Sequence, residues 1–449
     1  MSARVATSLA VLLILSSPSR IWAADDGTTL KPLKLEQAVD MALGKNWQIK
    51  NGILEVRISK DRIASSKTDF FPSVKVQTIG GQLLTPLNFS FKRGSLGNIP
   101  GVGPVPDQNI NVTTNERPFL FVNAMLSQPI IQVGKTAAYV AQNKLAKQIA
   151  EQKLTSQKLQ VTNQVKRAYY QALELEGTLK VVDATRTLYQ EIQRTTDKYL
   201  QEKTVLPADA IEVKQQLATV EYESTKTKNA LATQKEEINH LLGRDVQLDF
   251  ILVPIENISE EEMSLANAKV YAFASRAELK QTNNQLKQAE LERRIKRLEY
   301  LPNLSLVVDY LSMFGTQILP KNVAVVGLFL NWDALDWGRR HFDSLEKKRI
   351  YEQLQNTMKD LDTQIAMEVS SSHRKLQECR QYVQVTDLGR QLAMERLRVA
   401  ANKYKEQSVL LKDVLQAQRE VTKANNQWGQ SVLSYFTARA DFEKAIGKE

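Results

Sequence analysis

The sequence predicts an α+β fold in which one plan is stated twice, and three observations carry that expectation. First, Asn46-Trp47-Gln48-Ile49 and Arg276-Ala277-Glu278-Leu279 each open a helical stretch, and each stretch ends on a proline, Pro72 or Pro302. The interval is 23 residues from Ile49 to Pro72 and again 23 from Leu279 to Pro302. Second, each proline is followed by a run of period two, a loop, a second such run and a glycine, Gly134 or Gly338. Third, each glycine opens a helical pattern far longer than the three or four turns of an ordinary globular helix. A repeat this long, mixing strand pairs with such helices, leaves few folds open.

The elements follow in order. Leu35 to about residue 68 reads as a first helix. From Ser73 the period becomes two, with Val74, Val76 and Thr78 alternating with Lys75 and Gln77. This predicts a strand over about 73–84, and the alternation of Phe119, Phe121, Asn123 and Met125 predicts a partner over 119–127. Between them, Thr85 to Arg117 carries Gly94, Gly97, Gly101, Gly103 and several prolines, the composition of a surface loop. Then Val161, Val165, Ala168, Ala172, Leu175, Leu179 and Val182 recur every three or four residues, the spacing of a coiled-coil seam. That helix is expected over 134–203, and a return helix over 208–243 starts beside Pro207 and Asp209. The second copy repeats the order: helix 265–298, strands 303–313 and 322–331, helices 338–405 and 409–446. Its long-helix stripe is Leu354, Met358, Leu361, Ile365, Val369, Ser372, Leu376, Cys379 and Val383. The repeats are bounded as 24–247 and 248–449.

The totals narrow the function. All 13 prolines lie at or before Pro320, and seven fall between Pro72 and Pro129, so two large sectors are free to be helical. Residues 1–23 read as a signal peptide: Arg4, the apolar run Val5 to Leu15, and small residues around Ala23-Ala24. That apolar run is too short to span a bilayer. Its removal takes away Arg4 and Arg20 and leaves 58 basic against 50 acidic residues. Both signs are interspersed along helices, and no basic cluster carries aromatics, so nucleic acid is rejected as a partner. Cys379 is the only cysteine, which excludes a disulfide framework and a thiolate metal cluster. On an apolar stripe it reads as a small packed hydrophobe. His240, His341 and His373 are scattered without metal-ligand spacing. Gly101-Val102-Gly103 has no helix after it, and no phosphate-binding loop occurs. No catalytic, cofactor or metal site is expected, and the chain does not read as an enzyme.

Four strands cannot close a barrel, and open sheet edges cannot face lipid. If these strands are in a membrane, several chains must each contribute four. Three chains give twelve strands, and two give eight with a tighter lumen. Phe70, Phe71, Phe119, Tyr310, Phe329, Trp332 and Trp337 at strand ends suit interfacial belts, although β-propensity alone explains them equally.

Ordered motifs now decide more. Leu35-Glu36-Gln37-Ala38-Val39-Asp40-Met41-Ala42-Leu43 opens the chain. Each copy's first strand starts after a proline, and Ser127-Gln128-Pro129-Ile130 closes the first pair. Trp332-Asp333-Ala334-Leu335-Asp336-Trp337-Gly338-Arg339-Arg340 closes the second, and Tyr404 precedes Lys412-Asp413-Val414-Leu415-Gln416-Ala417. In this order and duplicated, they resemble the TolC family of outer-membrane efflux channels over essentially the whole mature chain. The resemblance implies a homotrimer with a twelve-stranded barrel in the lipid of the outer membrane, four strands per chain, continued by a long periplasmic α-helical coiled-coil barrel. It also implies docking to a periplasmic adaptor (membrane fusion) protein and an inner-membrane pump, of RND or ABC type.

Within that resemblance the loops Thr85–Arg117 and Gly315–Lys321 face outside, and the helix turns form the far periplasmic tip. Asp413 matches the first acidic position of the family's aperture, with Gln416 where relatives can carry Asp. A helix-start aspartate stabilised by the dipole, by about 0.3–1 kcal/mol, explains Asp413 as readily. Asp209 falls one residue out of register with Asp413 relative to Tyr199 and Tyr404. The tip turns expected to meet an adaptor are Lys203, Thr204, Pro207 and Asp209 in one copy and Gln407, Ser408 and Val409 in the other. Pro72, Gly134, Pro302 and Gly338 mark the barrel–helix junctions. Arg339-Arg340 could anchor one of them, but a solvated basic pair is the commoner explanation. The leading expectation is a passive exit duct for a tripartite efflux or type I secretion system. The alternative is a periplasmic coiled-coil adaptor or scaffold without a pore, and an exported hydrolase is a distant third.

Overall fold

The computed structural model describes residues 31–113, 118–202, 205–255, 263–315, 320–406 and 408–448; the expected signal, residues 1–23, lies outside them. Eight helices dominate these residues: α1 (Leu35–Lys45), α2 (Trp47–Thr68), α3 (Val133–Gln201), α4 (Pro207–Leu241), α5 (Leu265–Ser275), α6 (Ala277–Leu298), α7 (Arg339–Lys405) and α8 (Leu411–Ile446). With 69 residues, α3 extends about 100 Å at 1.5 Å per residue. A short parallel pair joins β1 (Pro32–Leu33) to β8 (Ile251–Leu252). Four long strands, β2 (Ser73–Gln82), β7 (Pro118–Pro129), β9 (Asn303–Phe314) and β10 (Asn322–Asn331), form one antiparallel sheet in the order β2-β7-β9-β10.

The segment between β2 and β7 is more regular than its composition predicts. It holds two nested hairpins, β3 (Asn88–Phe91) with β6 (Ile110–Thr113) around β4 (Asn98–Ile99) with β5 (Gly103–Pro104). Positive φ at Gly97 and Gly101, a region open to glycine, lets the inner hairpin turn back, and the Val105 amide bonds the Gly97 carbonyl at 2.8 Å. Residues 114–117 of this loop and 316–319 of the other lie outside the described residues.

The helices expected over 35–68 and 265–298 are each two helices. The break falls on Asn46 in the first copy and Arg276 in the second, both in extended ψ. Its cause is a contact far away in sequence. Asn46 Nδ2 donates to the Leu241 carbonyl at the end of α4 (2.8 Å), while its Oδ1 accepts from the Gln48 amide (2.8 Å) and caps α2. Arg276 plays the corresponding part: its guanidinium donates to the Ala445 carbonyl at the end of α8 (2.9 Å) and to Glu368 on α7 (2.8 Å). Orphan carbonyls at helix ends need such partners. Gly243 and Gly447, both in the left-handed region, end α4 and α8 and bring the chain against these breaks. A Cβ on Gly243 would strike the Lys45 carbonyl.

The helices pack along the expected stripes. Val161, Val165, Ala168 and Ala172 of α3 share a core with Ile365, Val369, Leu376 and Cys379 of α7 and with Tyr435 and Phe442 of α8. Burial pushes the Cys379 thiol up, so it stays protonated and behaves as a packed hydrophobe. Polar ties add specificity: Asn163 to Asp441 at 3.0 Å and Lys166 to Glu443 at 2.6 Å join α3 to α8. Tyr169 on α3, fully buried, lies 2.8 Å from the Leu33 and Val253 carbonyls and accepts from the Val253 amide at 3.0 Å. It therefore pins both strands of the β1–β8 pair, and burial pushes its phenol up to about 12, so it remains a donor at any physiological pH. Tyr169→Phe takes this donor from the Val253 carbonyl, while the Val253 amide keeps its bond to the Leu33 carbonyl at 3.2 Å, and should cost about 1 kcal/mol. Hydrogen exchange at the Val253 amide reads that loss.

Candidate functional site

The sheet is the first part of the site, and its two faces differ. Pairing registers place Val74 and Val76 of β2 beside Leu126 and Ala124 of β7, Val308 and Tyr310 of β9, and Val326 and Ala324 of β10. This face is mainly apolar, with Thr78, Gln82, Gln128, Ser312 and Asn322 as its polar residues, and Val74, Val76, Val326 and Leu328 are each about two-thirds exposed. The opposite face mixes apolar groups with Lys75, Gln77, Asn123, Ser305, Asp309 and Asn331. The Oδ1 atoms of Asn123 and Asp309 on that face are screened from solvent and accept no hydrogen bond among the described residues.

Its edges are the second observation. β2 and β10 carry free backbone groups along their outer sides and, because every pairing is antiparallel, they run in opposite directions. An exposed apolar edge of this length templates pairing with another chain. Among the described residues no helix is long and apolar enough to cross a membrane, a result that does not bear on strands.

The sheet joins the helices at unequal junctions. Pro72 and Pro302 stand immediately before β2 and β9. Gly134 lies inside the first turn of α3 and needs no special φ, whereas Gly338 has φ +86° and follows Trp337 at φ +54°. A tryptophan in the left-handed region is strained, and this one is 88 % exposed. Asp336 holds the turn: its carboxylate accepts from the Gly338 and Arg340 amides (3.1 and 3.2 Å) and pairs with the Arg340 guanidinium at 2.9 Å. Arg340 also donates to the Asp333 carbonyl and faces the Tyr300 ring. The two arginines thus divide, since Arg340 is buried in this junction and only Arg339 is solvated.

The helix tips lie at the other end of α3 and α7. Lys203, Thr204 and Gln407 fall outside the described residues. Pro207 is the first residue of α4, and Ser408 closes α7 by donating its amide and hydroxyl to the Lys403 carbonyl, each at 2.9 Å. Val409 is half-buried and Gln416 exposed. Asp209 and Asp413 occupy the same place, which corrects the one-residue mismatch expected from sequence. Each is the third residue of its helix and accepts from the backbone amide at the helix start: Leu206 to Asp209 at 3.2 Å, Leu410 to Asp413 at 3.1 Å. Five residues separate the helices in each copy, and the extra residue of the first lies in the last turn of α3, which ends two residues after Tyr199 whereas α7 ends one after Tyr404. Capping thus occupies one oxygen of each carboxylate. Leu206 and Leu410 themselves were missed by the sequence reading. They project from the tips 67 % and 72 % exposed, and an apolar residue where a helix start favours Ser, Asp or Asn was the available signal.

Comparison with known proteins fits this geometry. Residues 38–244 match the family model described as outer membrane efflux protein. Those residues, a little under half of the chain, are similar to the outer membrane efflux protein family. The resemblance drawn from the motifs is thereby borne out, and the protein sits in the outer membrane with its helices on the periplasmic side. No curated protein matches in sequence. Solved structures share the fold across nearly the whole chain. The Campylobacter jejuni CmeC outer membrane channel is 15 % identical, with a TM-score of 0.76 over 92 % of this chain and 85 % of that one. The outer membrane protein VceC of Vibrio cholerae is 14 % identical, TM-score 0.72, over 92 % and 96 %. The Neisseria gonorrhoeae MtrE outer membrane channel, in its open state, is 14 % identical, TM-score 0.70, over 92 % and 89 %. At these identities the likeness is one of fold: an outer-membrane efflux channel architecture of four strands and long helices per chain.

Proposed function

We propose that three copies of this efflux protein close a twelve-stranded barrel and form a passive exit duct, carrying small molecules or secreted protein from an inner-membrane pump to the exterior. The observation that carries this reading is the four-stranded sheet with two free edges of opposite direction. One copy's β10 can pair antiparallel with the next copy's β2, so closure needs no new strand type. The apolar face then meets lipid and the mixed face lines water. The helices support the same assembly, because α7 leaves Val385, Leu392 and Val399 exposed at seven-residue intervals, the spacing of a coiled-coil seam awaiting a partner. Energy comes from the pump, RND or ABC, since the sequence carries no phosphate-binding loop motif, and a periplasmic adaptor joins the two.

Detergent extracts should yield a homotrimer by native mass spectrometry, and urea should leave the protein in the membrane. A scaffold without a pore, the competing reading, washes off as a monomer. At the tip, Leu206 and Leu410 give an adaptor six apolar contacts per trimer. Asp413, with Gln416 one turn later, lines the aperture at the same level. Leu206→Asp with Leu410→Asp should lower adaptor cross-linking in cells about tenfold, roughly 1.4 kcal/mol, while trimer yield is unchanged. Equal cross-linking would move the adaptor contact elsewhere.

A further inference from the structure

The register of the seam between copies can be read from the repeat, granting the closed trimer proposed above. Ser73, directly after Pro72, pairs with Ser127, seven residues before Gly134; Asn303, directly after Pro302, pairs with Asn331, seven residues before Gly338. The two hairpins therefore have the same register. Inside the chain, β7 meets β9: the second strand of copy one against the first strand of copy two. Between chains, β10 meets β2: the second strand of copy two against the first of copy one. These are one junction with the copies exchanged.

The inner junction pairs Pro129 with Ser305, Ser127 with Val307, Met125 with Asp309 and Leu120 with Phe314. We infer that the seam pairs Asp333 with the partner subunit's Lys75, Asn331 with the partner subunit's Gln77, Phe329 with the partner subunit's Ile79 and Ala324 with the partner subunit's Leu84. Charge supports this independently. Lys75 and Asp333 are both exposed, and among the described residues the Asp333 carboxylate is paired at 3.9 Å with Arg339 of its own turn, also exposed. In the inferred register the two meet on the water-lined face. A slip of two residues either way, which preserves the faces, separates them. Ladder length agrees as well. β10 now ends at Asn331 and β2 at Gln82, and the seam extends them to Asp333 and Leu84, giving ten pairs as in β7–β9.

Cysteine pairs across the seam test this in the full-length protein with Cys379→Ala. Ile79→Cys is combined with Phe329→Cys, or with Gly327→Cys or Asn331→Cys for the two slipped registers. Directly opposed strand residues meet disulfide geometry and those two further along do not, so Ile79→Cys/Phe329→Cys should give about tenfold more covalent trimer on a non-reducing gel than either other pair. Lys75→Glu and Asp333→Lys should each lower the trimer fraction, and the double exchange should restore it. Linkage through position 327 or 331 in a native trimer overturns the register and leaves the duct standing. A native trimer linked through none of the three pairs also overturns the seam alone, as does failure of the double exchange to restore trimer. A protein that is monomeric by native mass spectrometry overturns the duct and the seam together.

Discussion

Arginine in place of Val326 should cost the trimer about 2–4 kcal/mol, because the mid-strand apolar face is the one that meets lipid. Arginine at the adjacent Val325 should be tolerated. Val325 lies on the opposite face directly across from Asp309, whose Oδ1 is screened from solvent without a hydrogen-bond partner among the described residues. A guanidinium there faces water and gains a carboxylate. Thermal dissociation of the detergent-purified trimer measures both variants. The contrast between neighbours matters more than either value, since a soluble sheet packed on one face would also punish one of them but would not place the tolerated face around water. Equal destabilisation at the two positions would mean that neither face lines a channel.

A second large effect is expected far from the sheet. Arg276 is 8 % exposed and holds the α5–α6 break, the end of α8 and Glu368 of α7 together. Arg276→Ala leaves the Ala445 carbonyl and the Glu278 and Glu368 carboxylates without this donor. Because the guanidinium is buried while both carboxylates stay about 40 % exposed, the loss falls mainly on the Ala445 carbonyl and the charge-assisted bonds, and the local cost should be about 2–3 kcal/mol. Exchange protection around Ser275 and Ile446 should fall on the order of 100-fold, a local opening that leaves the sheet untouched. Arg276→Lys keeps the charge but not the forked geometry, and should recover part of the protection only. Uniform loss of protection over the whole chain would show that the break is not a separate unit.

These two sites also show how far the sequence could be read. The strand that carries Val326 was legible, because the duplicated Pro-strand-loop-strand-Gly plan marks which runs are strands, but its nearly continuous apolar run at 323–330 does not say which face meets lipid. Arg276 was legible only as the start of a helical stretch. Its reason for breaking the helix lies 169 residues away at Ala445, as that of Asn46 lies 195 residues away at Leu241. Local propensity carries no trace of either contact. The tip shows the same limit at closer range. Counting residues from Tyr199 and Tyr404 misaligned Asp209 and Asp413, because α3 runs one residue further past its tyrosine than α7 does before turns of equal length. Arg339 and Arg340, identical and adjacent, could not be told apart before Asp336 was seen to hold one of them. The nested hairpins at 88–113 escaped because their glycines and prolines signal turns without saying which segments pair.

Single-channel recording in planar bilayers puts the central claim to the most direct test. Purified trimer should add discrete conductance steps, and the trimer of Ile79→Cys/Phe329→Cys in the Cys379→Ala background, locked at its seams, should conduct as the reduced form does. A homogeneous, folded protein that inserts no conducting unit, or that conducts only after its four-stranded sheets have dissociated, would contradict a barrel closed by three copies.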